Sequence, residues 1–127
     1  MSAARSVQIN FNNQTSETLS LPTNGASLSG GEWSSGLTPP SSIPPNSQVV
    51  WQSESDGFLT GTQGTATYVF QNAATTMSVI VSWDNPYDGS STYSAVVNPQ
   101  GSGYQAQGST PDNDADNATF NVQLVSS

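Results

Sequence analysis

The chain has 127 residues and a formal net charge of −8, with Arg5 its one basic side chain against nine carboxylates. Without lysine or histidine beside that arginine it cannot neutralise a phosphate backbone, which excludes nucleic-acid binding and attraction to an anionic membrane face. The lack of cysteine and histidine removes disulfides, thiolate chemistry, nucleophile–histidine catalysis and His/Cys-ligated zinc.

Apolar residues make up only 33% and charged residues 8%, so hydroxyls and amides must cover most of the surface. Three Trp, four Tyr and four Phe, with regularly spaced β-branched residues, still point to a folded chain, because disordered chains usually lack both. Val7, Ile9 and Phe11 alternate with Gln8, Asn10 and Asn12, the period of a half-buried strand. Leu19 and Leu21 continue that pattern after the polar turn 13–16, which reads as an opening hairpin. Asn24-Gly25 and Gly30-Gly31 are turn signals on either side of Ser27-Leu28-Ser29. Trp33 precedes a proline-rich stretch, 38–46, whose two Pro-Pro pairs fit an extended loop laid over a sheet edge with Ile43 packed down; a ligand segment for a proline-binding domain is the weaker reading.

Val49 and Trp51 mark a short strand, Asp56-Gly57 a turn, and Ala66, Tyr68 and Phe70 a longer strand closing through 72–76 into a hairpin. Its second arm, from Met77, carries Val79, Val81 and Trp83 and runs into Asp84-Asn85-Pro86-Tyr87-Asp88-Gly89. Pro86 fixes φ and lacks an N–H, so the ladder stops there and a buried strand delivers two aromatics and two carboxylates to one corner. Tyr93, Ala95 and Val97 begin the next strand, which Asn98-Pro99 and the 101–103 glycines end; Phe120, Val122 and Leu124 form the last. No window has helical periodicity and no internal repeat is evident, so the expected fold is all-β: one antiparallel β-sandwich domain, 1–127, with short strands and long Gly/Pro/Asn-rich loops.

The opening residues show no apolar leader and no later stretch is long enough to span a bilayer, giving the expectation of a protein that is cytoplasmic or released without a leader. The triplets at Asn13 and Asn117 fit a glycosylation acceptor, a pattern frequent by chance in this composition. Carboxylate pairs Glu54/Asp56 and Asp84/Asp88 have the residue types of a glycosidase, but read as solvated turn carboxylates; the expectation is a non-enzyme without cofactor. Asp112, Asp114 and Asp116 open like a calcium loop, yet Asn117 and Gln123 stand where glycine and glutamate are required, so no metal is expected.

Trp51, Tyr68, Phe70 and Trp83 lie on inward strand faces and read as core, whereas Trp33, Tyr87, Tyr93 and Tyr104 fall at strand ends or in loops. Rings there suit a lipid interface, a sugar shelf or a quaternary ammonium, none of which requires a basic residue.

The run 61–68, the following hairpin, Val79-Ile-Val-Ser-Trp-Asp-Asn-Pro-Tyr87 and 89–93 resemble the aegerolysins, small β-sandwich proteins that bind sphingolipid-containing membranes; the same corner is similar to that of the actinoporins. The resemblance covers the middle third best. It implies a neutral or zwitterionic lipid headgroup as partner, with Trp83, Pro86, Tyr87 and Tyr93 as contacts and Asp84 and Asp88 shaping the loop. It also implies peripheral membrane contact, a role in a cytolytic or defence system, and leaves homo-oligomerisation open. Residues 1–6 are too short for the amphipathic helix with which actinoporins pierce a bilayer, so unaided pore formation is not expected. Two other readings stand beside it: a glycan-binding lectin, and a structural, storage or immunomodulatory protein without a specific small ligand.

Overall fold

The computed structural model describes residues 4–112 and 115–126. Along them run β1 (Ser6–Asn13), β2 (Leu19–Ser20), β3 (Ala26–Gly30), β4 (Glu32–Trp33), β5 (Ser42–Ile43) and β6 (Ser47–Glu54). These are followed by β7 (Thr62–Asn72), β8 (Thr75–Asn85), β9 (Thr92–Asn98), β10 (Tyr104–Ser109) and β11 (Asn117–Ser126). The first sheet has the order β10-β11-β1-β6-β4 and the second β5-β2-β7-β8-β9, with β3 also paired to β7. The expected all-β sandwich is therefore present. Among the described residues no helix is long and apolar enough to cross a membrane.

Period-two alternation builds the core. Val7, Ile9 and Phe11 of β1, Trp51 of β6 and Phe120, Val122 and Leu124 of β11 are buried from the first sheet. Tyr68 and Phe70 of β7 and Met77, Val79, Val81 and Trp83 of β8 are buried from the second. The sheets meet through aromatic rings: Trp51 lies 5.8 Å from Tyr68 and 6.3 Å from Trp83, at separations suited to tilted ring pairs.

The opening hairpin does not form. β1 instead pairs antiparallel with β6 and parallel with β11, from Ser6↔Asn117 to Asn13↔Leu124, while β2 joins the other sheet beside β5 and β7. The physical cause is Asn13. Its buried side chain donates to the carbonyls of Glu17 (2.8 Å) and Pro44 (3.0 Å) and accepts from the Thr15 hydroxyl (2.7 Å), turning the chain from one sheet to the other. The sandwich is thus antiparallel except for the β1–β11 pair. Full burial of Asn13, with its amide engaged by Glu17, Pro44 and Thr15, leaves no room for a glycan at that position in this fold.

The proline-rich stretch packs as expected. Ile43 is buried, β5 extends the edge of the second sheet, and the Tyr68 hydroxyl donates to the Pro40 carbonyl at 2.6 Å. Desolvation pushes the pKa of that buried phenol well above the ordinary tyrosine value.

Candidate functional site

One end of the sandwich gathers the 55–61 loop between β6 and β7 and the 86–91 loop between β8 and β9. β8 stops at Asn85, which is 3% exposed; its amide nitrogen faces the carbonyls of Ser6 (3.2 Å), Ala115 (3.1 Å) and Asp116 (3.1 Å). One side chain therefore ties the end of the second sheet to the starts of β1 and β11 in the first.

Arg5 completes the tie. Its guanidinium donates to the carbonyls of Pro86 (3.3 Å), Tyr87 (2.7 Å) and Ala4 (2.8 Å), and it pairs with Asp116 at 3.2 Å. Its central carbon sits 4.6 Å from the centroid of the Tyr87 ring, a cation–π contact worth about 0.5–2 kcal/mol. The single base of the sequence is spent inside the corner. One face of the Tyr87 ring is occupied by it, and the residue as a whole is 39% exposed.

The two loops touch where β7 is about to begin. A side-chain carbon on Gly61 would fall 2.4 Å from the Asn85 carbonyl oxygen and 2.6 Å from the Pro86 α-carbon, so only glycine lets the backbones come this close. Between the loops lies an open depression of about 480 Å³. Asp56, Leu59 and Thr60 line one side and Asp84, Pro86, Tyr87 and Asp88 the other. Three carboxylates lining one depression with a tyrosine and a proline, and no free cation beside them among the described residues, make a place that favours a small cationic or zwitterionic group.

The structure brings four of the six expected contacts together: Asp84, Pro86, Tyr87 and Asp88. It places Trp83 and Tyr93 elsewhere. Trp83 is 1% exposed, packs on Trp51 and Trp33, and donates to the Ser53 hydroxyl at 2.9 Å. Tyr93 stands opposite Trp83 in the β8–β9 register, so the pleat turns its ring to the same inward face, 5.4 Å from Phe120. Burial raises the pKa of its phenol above the ordinary tyrosine value; the nearby Asp84 charge adds to that and the Ser91 hydroxyl works against it. The pocket walled by Tyr87 and Tyr93 together is therefore not formed, because the alternation that carries Trp83 into the core carries its cross-strand partner with it.

Tyr104 is also spoken for, edge-on to Phe70 at 4.9 Å with its hydroxyl donating to Glu17 at 3.0 Å. Of the acidic loop, Asp114 lies outside the described residues, Asp116 pairs with Arg5, and the Asp112 carbonyl accepts from the Ala115 N–H at 3.2 Å. Among the described residues no cluster of acidic groups has the arrangement of a metal site. Asp56, Leu59 and the Arg5 clamp were not foreseen from the sequence. The only available signal was that a lone base in so acidic a chain must have a partner.

A second surface is chemically distinct. On the outer face of the first sheet, the cross-strand rows Gln48–Asn12–Gln123–Gln107 and Asn10–Asn121 present amides side by side, with Asn10 donating to Asn121 at 2.9 Å. They border a shallow groove of about 470 Å³.

Fold and corner define an all-β sandwich carrying an acidic, aromatic depression between two loops at one end. No family model matches the chain, and no curated protein matches it. Solved structures do. The RahU protein, determined in complex with a TRIS molecule, superposes with a TM-score of 0.75 at 17% identity, over 99% of this chain and 98% of its own. The lipid binding protein Nakanori superposes with a TM-score of 0.76 at 16% identity, over 97% of this chain and 72% of its own. At such identities the likeness establishes a shared fold.

Proposed function

We propose that this protein is a non-enzymatic lipid-binding module whose Asp84–Asp88 corner takes the quaternary ammonium of a zwitterionic, choline-type headgroup such as that of a sphingolipid. The depression between Asp56, Leu59, Tyr87 and Asp88 carries the reading: it is acidic, ring-edged and sized for a small head group. Nakanori, of the same fold, is described as lipid-binding, which supports the class of ligand. The side chains of Asp56, Asp84 and Asp88 attract the ammonium, Pro86 and Tyr87 contact its methyl groups, and Arg5 holds the corner rigid from behind. Membrane contact of this kind is peripheral and is compatible with a component of a lytic or defence system.

Co-sedimentation with vesicles of phosphatidylcholine and sphingomyelin tests the proposal. Tyr87→Ala should weaken uptake by about two- to thirty-fold, the range expected when a cation–π contact of about 0.5–2 kcal/mol is removed. Full retention by that variant would remove the corner from the binding site.

A glycan-binding reading is favoured by one observation, the amide-paved groove along Asn10, Asn12, Gln48 and Gln123, whose paired donors and acceptors suit sugar hydroxyls. Capture on a glycan array lost in Asn121→Ala, without vesicle uptake, would select it.

A further inference from the structure

The 57–60 turn beside the depression is built to hold its shape. The Thr60 hydroxyl accepts from the Gly57 N–H at 3.1 Å and donates to the Gly57 carbonyl at 2.8 Å, closing the loop on itself. At its tip stand Phe58, 90% exposed, and Leu59, 51% exposed. Leu59 has φ +58°, the left-handed region that a bulky side chain avoids. A stapled turn thus keeps one residue strained in order to present two apolar side chains to water.

These side chains are also not scattered. Among the described residues the exposed large apolar side chains are Val50, Phe58, Leu59, Tyr87 and Val96, and three of these five belong to the two loops that border the depression. Apolar groups held together at one end of an otherwise polar surface mark a contact with something apolar. The charge around them says what kind. Asp56, Asp84 and Asp88 rim the same end, and the one arginine is engaged by three carbonyls and Asp116, so the face repels an anionic surface and favours one whose outermost layer is cationic.

We propose that Phe58 and Leu59 form a rigid apolar wedge that enters the interfacial layer of a choline-headed bilayer while the surrounding carboxylates meet the ammonium groups. The inference rests on the lipid-binding reading and adds to it the depth and orientation of contact: the sandwich stands with this end down, and the headgroup depression lies at the level of the headgroups because the wedge beside it passes below them.

The test uses the full chain and phosphatidylcholine–sphingomyelin vesicles, with phosphatidylserine vesicles in parallel. Phe58→Asp should lower apparent vesicle affinity at least ten-fold with an unchanged melting temperature, since the ring touches little of the fold. Phe58→Trp should bind, and the emission of that variant should shift to the blue relative to the parent's and be quenched by brominated acyl chains. Parent protein that binds vesicles while Phe58→Asp binds equally well, or brominated chains that leave Phe58→Trp no more quenched than the parent, overturns the wedge and leaves the headgroup reading standing. No binding by the parent overturns both. Equal uptake by phosphatidylserine vesicles overturns the choice of a choline-headed surface. Concentration-dependent self-association abolished by Phe58→Asp, without vesicle uptake, assigns the tip to a second copy of the chain and overturns the wedge.

Discussion

Trp83 occupies a position where two roles compete for one ring. It stands two residues before the end of β8, where the loop that carries the depression begins, yet its indole is the hub between Trp33 and Trp51, and its N–H ends a buried chain of hydroxyls. That chain runs from Trp83 to Ser53 (2.9 Å), across to Thr62 (2.7 Å) and on to the Gly30 carbonyl (3.1 Å), fixing the starts of β7 and the β3–β4 turn below the corner. Trp83→Ala should cost about 3–5 kcal/mol in urea denaturation, since it empties a large buried volume and leaves Ser53 short of a donor. A cost within about 0.5 kcal/mol, the scatter of surface substitutions, would mean that the ring is not in the core. Tyr87 differs by one strand end. Beyond Asn85 the pleat no longer dictates a face, so its ring is free to lie on Arg5.

At the scale of elements, the strands that alternate large apolar with polar residues were legible: β1, β6, β7, β8, β9 and β11 lie where the alternation places them. β10 was not, because its inward positions are Tyr104, Ala106 and Gly108, and the last must stay bare for Phe120 to pack within 2.7 Å of where a side-chain carbon would be. Partnership was less legible than position. A strand pattern says which face is buried but not which strand lies alongside, so the β1–β11 parallel pair, separated by more than a hundred residues, left no local trace. The corner was legible through Pro86 and Tyr87; the facing loop was not, since a lone Phe-Leu between glycines has no periodicity to read. Gly61 joins the two halves, and its contacts supply an element-scale prediction. Gly61→Ala must push the Pro86–Tyr87 backbone outward, costing about 1–3 kcal/mol and weakening choline-lipid uptake although every lining side chain is intact. Gly57→Ala, whose added carbon meets only Thr60 at 3.4 Å, should leave stability nearly unchanged in the same denaturation and sedimentation assays.

At the scale of the whole molecule, eight net negative charges are set against one ion pair among the described residues, Arg5–Asp116, whose acidic partner is 65% exposed. Such an exposed pair contributes about 0–1 kcal/mol, so little attraction is lost when salt screens it. Repulsion among the remaining carboxylates is weakened by the same salt, because the Debye length falls from about 30 Å at 0.01 M to roughly 3 Å at 1 M. Asp56, Asp84 and Asp88 line one depression, so three of the nine carboxylates face the same space. The melting temperature should therefore rise with sodium chloride over this range, and most steeply at the low-salt end. A bound choline group should mimic part of that effect by placing a cation among the three carboxylates, so the gain in melting temperature from phosphocholine should shrink as salt is added. A melting temperature that falls with salt would mean that attraction, not repulsion, governs the charge balance, and an acidic corner waiting for a cation would lose its electrostatic basis.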